Sequence, residues 1–202
     1  EVYGSTSKNP AKETDSYNPT SPYAISKLAA DLHLNTMYKI REFPTNIVRP
    51  SNCYSPGQYI YRIIPKAILY FINNKKFPLE GGGIAEKSFL YIDDLSEAIC
   101  KILNSNIVGE TYNIGSDEAI TMRFLIEQIC DCLGINFYEN VIITEGRVGE
   151  DRKYWIDSSK IENDLGWKPK TNLREGINKM INWCKVYNKD LLQDPDYFIL
   201  KP

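Results

Sequence analysis

The hydrophobic positions alternate between two rhythms along the chain. From Tyr23 to about Glu42, the residues Ala24, Ile25, Leu28, Ala29, Leu32, Tyr38 and Ile40 recur at the three- and four-residue spacing of an amphipathic helix. Pro22 suits the first turn of that helix, and Ser21 is its candidate N-cap. The same reasoning predicts helices over Ile63–Asn73, Asp93 to about Leu103, Thr121–Leu133 with Gly134 as its stop, Ser158–Leu165, and Leu173 to about Asn188. Short apolar runs between them predict strands at Thr45–Arg49, Phe77–Leu79, Ser88–Ile92, Thr111–Ile114 and Val141–Ile143. Glu1 to Gly4 reads as the end of a strand, residues 5 to 22 as an irregular polar surface segment, and Ser51–Gln58 as a turn-rich loop. Strands alternating with helices of ten or more residues predict an α/β fold with a largely parallel sheet.

Composition narrows the function classes. A chain of 202 residues, 43% apolar and 25% charged, can bury a sizeable core; chains of this size bury roughly 70% of the surface exposed when unfolded. The net charge of -2 argues against a polyanion-binding surface, so nucleic acid is not expected as a partner, although a local anion pocket stays open. No apolar run reaches the roughly 20 residues of a membrane-spanning helix, and no membrane association is expected. Five cysteines without framework spacing suggest free thiols and a cytoplasmic address. The single histidine, His33, leaves little room for a histidine-rich metal site, and no metal is expected.

Tyr23 and Lys27 are four apart, which on a helix puts the phenol and the ammonium on one face. A neighbouring cation favours the phenolate, so the pair could serve as a general acid/base or stand as a solvated surface pair. The spacing alone is weak, because Tyr197 and Lys201 repeat it in the tail. Cys130 and Cys132 are two apart and do not face each other on a helix. Asp93-Asp94 reads as a helix start, and Gly81-Gly82-Gly83 as a glycine-rich hairpin turn rather than a dinucleotide-binding turn.

Collinear blocks are more specific. Glu1-Val2-Tyr3-Gly4, Ser21-Pro22-Tyr23-Ala24-Ile25-Ser26-Lys27 and Arg49-Pro50-Ser51-Asn52-Cys53-Tyr54-Ser55-Pro56-Gly57 are followed by Phe89–Asp94, Gly109–Gly115 and Asp157–Lys160 running to Leu165-Gly166-Trp167. Together they resemble the extended short-chain dehydrogenase/reductase family, the NAD-dependent epimerases and dehydratases of nucleotide sugars. The resemblance implies the end of a Rossmann-type NAD-binding domain over residues 1–55. It further implies a mainly nucleotide-sugar-binding domain over 56–202, with 87–104 returning to the first sheet. The family's glycine-rich NAD turn is not found, so the chain looks like the C-terminal part of a longer enzyme, expected to be inactive alone.

Within the family the chain looks most like the dTDP-glucose 4,6-dehydratases, and Ile64-Pro65 fits that group. The resemblance implies NAD as cofactor and assigns catalysis to Tyr23, Lys27 and Glu1. Tyr23, Lys27 and Asn52 are implied to contact the cofactor. Asn52, Lys87, Asn113, Arg147 and Arg152 are implied to contact the nucleotide sugar, the arginines suiting phosphate oxygens. Lys87 stands where the dehydratases usually carry Arg. A UDP-glucuronate decarboxylase or an epimerase is the nearest alternative, and a non-catalytic sugar-nucleotide-binding module the alternative of another class. The family also implies a homodimer through the Tyr23 helix, with Leu34 and Met37 as a second apolar flank.

Overall fold

Two parallel strand pairs organise the chain in the computed structural model, which describes residues 1–6, 9–146 and 153–198. The elements in order are α1 (Pro22–Arg41), β1 (Ile47–Pro50), β2 (Asn52–Tyr54), α2 (Ile63–Ile72), β3 (Phe77–Glu80), a 3-10 turn (Gly81–Gly83), β4 (Glu86–Lys87) and β5 (Phe89–Tyr91). There follow α3 (Ile92–Leu103), β6 (Thr111–Ile114), β7 (Ile120–Thr121), α4 (Met122–Leu133), α5 (Phe137–Asn140), β8 (Val141–Thr144), β9 (Lys153–Tyr154), α6 (Ser159–Leu165), α7 (Leu173–Val186) and α8 (Asn188–Leu191). β1 runs parallel to β6, with Ile47 opposite Thr111 and Pro50 opposite Ile114. β3 runs parallel to β8, from Phe77 opposite Val141 to Glu80 opposite Thr144. The fold is thus the expected α/β type with parallel pairing.

The chain divides into two compact units, one of Glu1–Cys53, Ala85–Ala119 and Asp151–Lys170, the other of Tyr54–Ile84, Ile120–Glu150 and Thr171–Pro202. The stretch that comes back to the first unit is therefore longer than the 87–104 expected from sequence. The first unit buries Leu90, Leu95, Ala98, Ile102, Tyr112, Ile114, Ile161 and Trp167, and Trp167 Nε1 donates to the Asp94 carbonyl at 3.0 Å. A buried indole needs such a partner, and Asp94 supplies it with its backbone from the first turn of α3. The second unit packs α2, α4 and α7 against one another through Ile68, Leu125, Ile129, Ile177 and Met180, none of which retains more than a trace of exposure.

Local chemistry sets the element ends. Ser21 Oγ accepts from the Ala24 amide at 3.1 Å with Pro22 in the first turn, and Thr121 caps α4 through the Phe124 amide. Gly134 closes α4 in the left-handed conformation. Three expectations change. Asn52–Tyr54, inside the expected Ser51–Gln58 loop, forms the strand β2. Glu1–Gly4 is a turn, closed by the Gly4 amide on the Glu1 carbonyl at 2.9 Å, and not a strand end. Gly81–Gly83 is a 3-10 turn after β3 rather than a hairpin, because β3 finds its partner in β8, far along the chain. At Gly83 the backbone has φ +71°, and a Cβ there would lie 2.6 Å from the Arg123 amide nitrogen.

The apolar residues of α1 also divide. Ala24 is fully buried, and Leu28 and Tyr38 are half-buried, while Ile25, Leu32 and Ile40 are 56%, 49% and 70% exposed. At about 100° per residue, Ile25, Ala29, Leu32 and Ile40 form one outward stripe, distinct from the inward side. Leu34 and Met37 are half-buried and lie off that stripe.

Burial pushes the thiols of Cys53 and Cys130 up to about 11 and that of Cys184 to about 12. Unfolding releases these thiols to ionise near the ordinary 9.0, so the native state holds more protons between that value and its raised one. This contribution to stability is complete below pH 9 and is lost as pH climbs toward 12. We expect the urea midpoint to fall between pH 9 and 11, with a smaller fall in Cys130→Ala/Cys184→Ala. At pH 8, iodoacetamide should label exposed Cys100 before Cys130 or Cys184; equal labelling in native protein contradicts the burial assignment.

Candidate active site

Tyr23 stands in the first turn of α1, where Ala24 points inward and fixes the helix. The Tyr23 ring is 58% exposed, and Lys27 Nζ lies 5.5 Å from its centroid. The four-residue spacing therefore brings the phenol and the ammonium together on an accessible face, as the sequence suggests. Ser26 Oγ donates to the Tyr23 carbonyl at 2.7 Å, further holding this turn.

Glu1 is exposed at the start of the Glu1–Gly4 turn, whose next two residues, Val2 and Tyr3, are buried. The Asn18 amide donates to the Val2 carbonyl at 3.0 Å, so the turn is tied to the segment that leads into α1. Gly4 permits this approach: its φ is +68°, and a Cβ would lie 2.3 Å from the Asn18 carbonyl oxygen. The irregular segment is pinned elsewhere too, with the Ala11 amide donating to Trp155 O at 2.9 Å and the Asp157 amide to Ala11 O at 2.8 Å.

Asn52 is exposed on β2, and its Nδ2 donates to the Ser88 carbonyl at 3.1 Å. Lys87 is the residue before Ser88, so these two expected ligand contacts lie close together. Arg147 and Arg152 lie outside the described residues. Asn113 departs from its expected role. It is fully buried; its Oδ1 accepts from Tyr3 Oη at 2.9 Å, its Nδ2 donates to the Ala11 carbonyl at 3.0 Å, and its amide donates to Glu13 Oε1 at 2.7 Å. A side chain committed at both ends and closed to solvent supports the Glu1–Gly4 turn and the irregular segment instead of meeting a ligand.

A cluster that the sequence does not advertise lies between them. Arg49, on β1, donates from Nε to Asp31 Oδ2 of α1 at 2.7 Å, from one terminal nitrogen to Tyr3 Oη, and from the other to Tyr17 Oη at 3.1 Å. Its Cζ is 5.1 Å from both the Tyr3 and Tyr17 ring centroids, and its side chain is 9% exposed. Burial opposes the Arg49 charge, but the hydrogen bonds to Tyr17, Asp31 and Tyr3 help to outweigh it and its pKa is raised. Burial raises the Tyr3 pKa against the opposing pull of Arg49, so Tyr3 stays a neutral phenol that can donate to Asn113. The sequence signals were Arg49 itself, a charged residue ending a short apolar strand, and the family-like blocks in which Tyr3 and Arg49 stand. Among the described residues no cluster suited to a metal ion occurs, and no helix is long and apolar enough to cross a membrane.

The model of the family described as GDP-mannose 4,6 dehydratase matches residues 1–180. The dTDP-glucose 4,6-dehydratase of Neisseria gonorrhoeae is 33% identical over 181 residues, covering 85% of this chain and 52% of that protein. The dTDP-D-glucose 4,6-dehydratase of Homo sapiens is 36% identical over 190 residues, covering 92% and 54%. Among solved structures, the dTDP-glucose 4,6-dehydratase of Bacillus anthracis in complex with NAD superposes with a TM-score of 0.89 at 33% identity, over 94% of this chain and 61% of that one. The UDP-glucose 4-epimerase of Thermotoga maritima, at 24% identity and TM-score 0.86 over 93% of this chain and 61% of that one, shares the fold. The chain spans about half the length of the curated relatives it matches.

Removing the Asn113 side-chain amide leaves the buried Tyr3 hydroxyl without its acceptor, while the Ala11 carbonyl loses one of two donors and keeps the Asp157 amide. We expect Asn113→Ala to lower unfolding free energy by about 1–3 kcal/mol, read by urea denaturation, the usual cost of one stranded buried polar group. A loss near zero would show that the amide is not committed to this network.

Proposed function

The chain belongs to the GDP-mannose 4,6-dehydratase family, within the extended short-chain dehydrogenase/reductases, and from that membership we propose that it forms the proton-transfer and nucleotide-sugar part of an NAD-dependent dTDP-glucose 4,6-dehydratase. The observation that carries the reading is the accessible Tyr23–Lys27 pair at the head of α1, in a chain whose relatives bear that activity by name. An outward phenol beside an ammonium is a donor set that fits a nicotinamide ribose and a sugar hydroxyl. NAD, when bound there, supplies the hydride acceptance from C4 and return to C6 that make the reaction redox-neutral overall.

The chain's own residues handle protons. Tyr23 Oη takes the proton of the C4 hydroxyl, with Lys27 stabilising the negative form of the phenol. The 4-keto group then acidifies the C5 hydrogen; the Glu1 carboxylate removes it as hydroxide leaves C6, and the Glu1 carboxyl gives a proton back to C5 when C6 regains its hydrogen. That leaving group needs a proton from a neighbouring acid, which in dehydratases of this type is an Asp immediately before the Glu. The exposed Asn52 and the adjacent Lys87 would hold the nucleotide diphosphate, and Arg147 and Arg152 are proposed to join them. Asn52 is also proposed to contact the cofactor. The proposed nucleotide-sugar contacts Asn52, Lys87 and Arg152 then belong to the first unit, with the Tyr23–Lys27 pair, and Arg147 to the second. No glycine-rich strand-to-helix turn is found in these 202 residues, so we infer that they hold NAD poorly by themselves. We place the protein in the reducing cytoplasm, which suits its free thiols.

The outward stripe of Ile25, Leu32 and Ile40 supports a homodimer through α1, since water disfavours a contiguous apolar face. Leu32→Glu should convert dimer to monomer in sedimentation velocity; an unchanged dimer would move the interface elsewhere.

For the natural protein supplied with NAD and dTDP-glucose, we expect a 4-keto-6-deoxy product, detected by its alkaline absorbance and mass. Tyr23→Phe should lower kcat by about 10²–10⁴-fold, the usual worth of a positioned acid/base. Turnover of a UDP-sugar in place of dTDP-glucose would overturn the substrate assignment.

A further inference from the structure

We propose that Arg49 is a positioning residue that fixes the Glu1–Gly4 turn relative to α1, and so sets the two proton-transfer groups in register for adjacent carbons of one sugar. The inference rests on the function proposed above. One guanidinium touches the relevant pieces. Through Asp31 it holds α1 two turns beyond Tyr23; through Tyr3 it holds the turn that begins with Glu1; through Tyr17 it holds the segment that feeds the Ser21 cap. Tyr3 passes the constraint on to β6 by donating to Asn113.

Stability alone gives a poor account of this arrangement. A side chain 9% exposed, facing a carboxylate 14% exposed, loses most of its hydration, and packed apolar residues of similar volume often stabilise such a position as well or better. An apolar side chain cannot set direction. The planar fork of Arg does, because its donors leave in fixed directions and each meets an acceptor on a different segment. The chemistry needs such direction: Tyr23 acts at C4 and Glu1 at C5, so the two groups must reach neighbouring atoms without re-docking the sugar, and misplacement by about 1 Å can cost roughly 100-fold in rate.

The test uses the natural, NAD-loaded protein with Arg49→Lys and Tyr17→Phe. Lys keeps the charge and loses the fork, and Phe keeps the ring and loses one acceptor. Three quantities are read: kcat and KM for dTDP-glucose, the single-turnover absorbance near 340 nm that reports oxidation at C4, and solvent deuterium entry at C5. We expect Arg49→Lys to keep KM within about twofold and to lower kcat by about 30–100-fold. Deuterium entry at C5 should slow more than the absorbance change, because Tyr3 joins the fork directly to the Glu1 turn. Tyr17→Phe should show the same pattern at about 3–10-fold, with a thermal midpoint within a few degrees of wild type. Wild-type kcat per folded molecule in both variants, whatever their thermal midpoints, would overturn the positioning role. Equal slowing of the two partial steps in Arg49→Lys would overturn the link to Glu1. A wild-type protein inert toward dTDP-glucose would instead sink the proposed function.

Discussion

Strands that run parallel cannot be joined by a tight turn, and that constraint shapes this chain. β1 must wait for β6, and β3 for β8, each partner lying about sixty residues further on. The intervening sequence has to be used, and here the first unit's return path is interrupted by elements of the second. The prominent helices follow from it: α3 feeds β6 after packing Leu95, Ala98 and Ile102 into the first core, and α4 leads toward β8 after burying Leu125 and Ile129 in the second.

On that frame, the residues proposed for the site sit in a turn and at element ends rather than in element interiors. Glu1 belongs to a turn, Tyr23 to the first turn of a helix, and Asn52 to the strand just after β1. Connections are mobile by default, so their geometry needs anchoring from a rigid part. The anchors here are buried polar groups. Asn113 reaches outward from β6 to Tyr3 and Ala11, and Arg49 from β1 to Asp31, Tyr3 and Tyr17. The strands supply rigidity, and the polar side chains carry it to the Glu1–Gly4 turn and the start of α1.

Much of the fold was legible because its signals are local. Ser21-Pro22 marks the start of α1, Thr121 and Gly134 bracket α4, and the apolar runs at β1, β3, β6 and β8 stand between polar turns. The short β4, β7 and β9 carry two residues each and were invisible, since strands of that length exist only through their partners. The Tyr23–Lys27 pair was legible from helical spacing. Asn113 was misread because a polar residue in a strand looks the same in sequence whether it meets a ligand or a buried network. Only the burial of all its polar atoms tells the two apart. Tyr3 and Arg49 each stand in a family-like block, but their meeting with Tyr17 and Asp31 was not legible, because residues brought together from positions 3, 17, 31 and 49 share no period. The face of α1 was merged for a related reason: helical spacing finds apolar residues but does not say which of two adjacent stripes meets the protein.

The interleaving of the two units bears on how the chain is made. On the ribosome, the first 53 residues emerge well before β6, and the first unit's core stays open until Trp167 and the stretch ending at Lys170 have left the exit tunnel. The second unit waits in turn for α7, whose Ile177 and Met180 complete its packing. Residues 54–84 and 120–150 of the second unit are thus made before the first unit can close at Lys170, so the two cannot fold one after the other in the order of synthesis typical of multidomain chains. Leu90, Tyr112, Leu125 and Ile129 therefore spend part of synthesis facing water, where exposed apolar segments favour aggregation over folding.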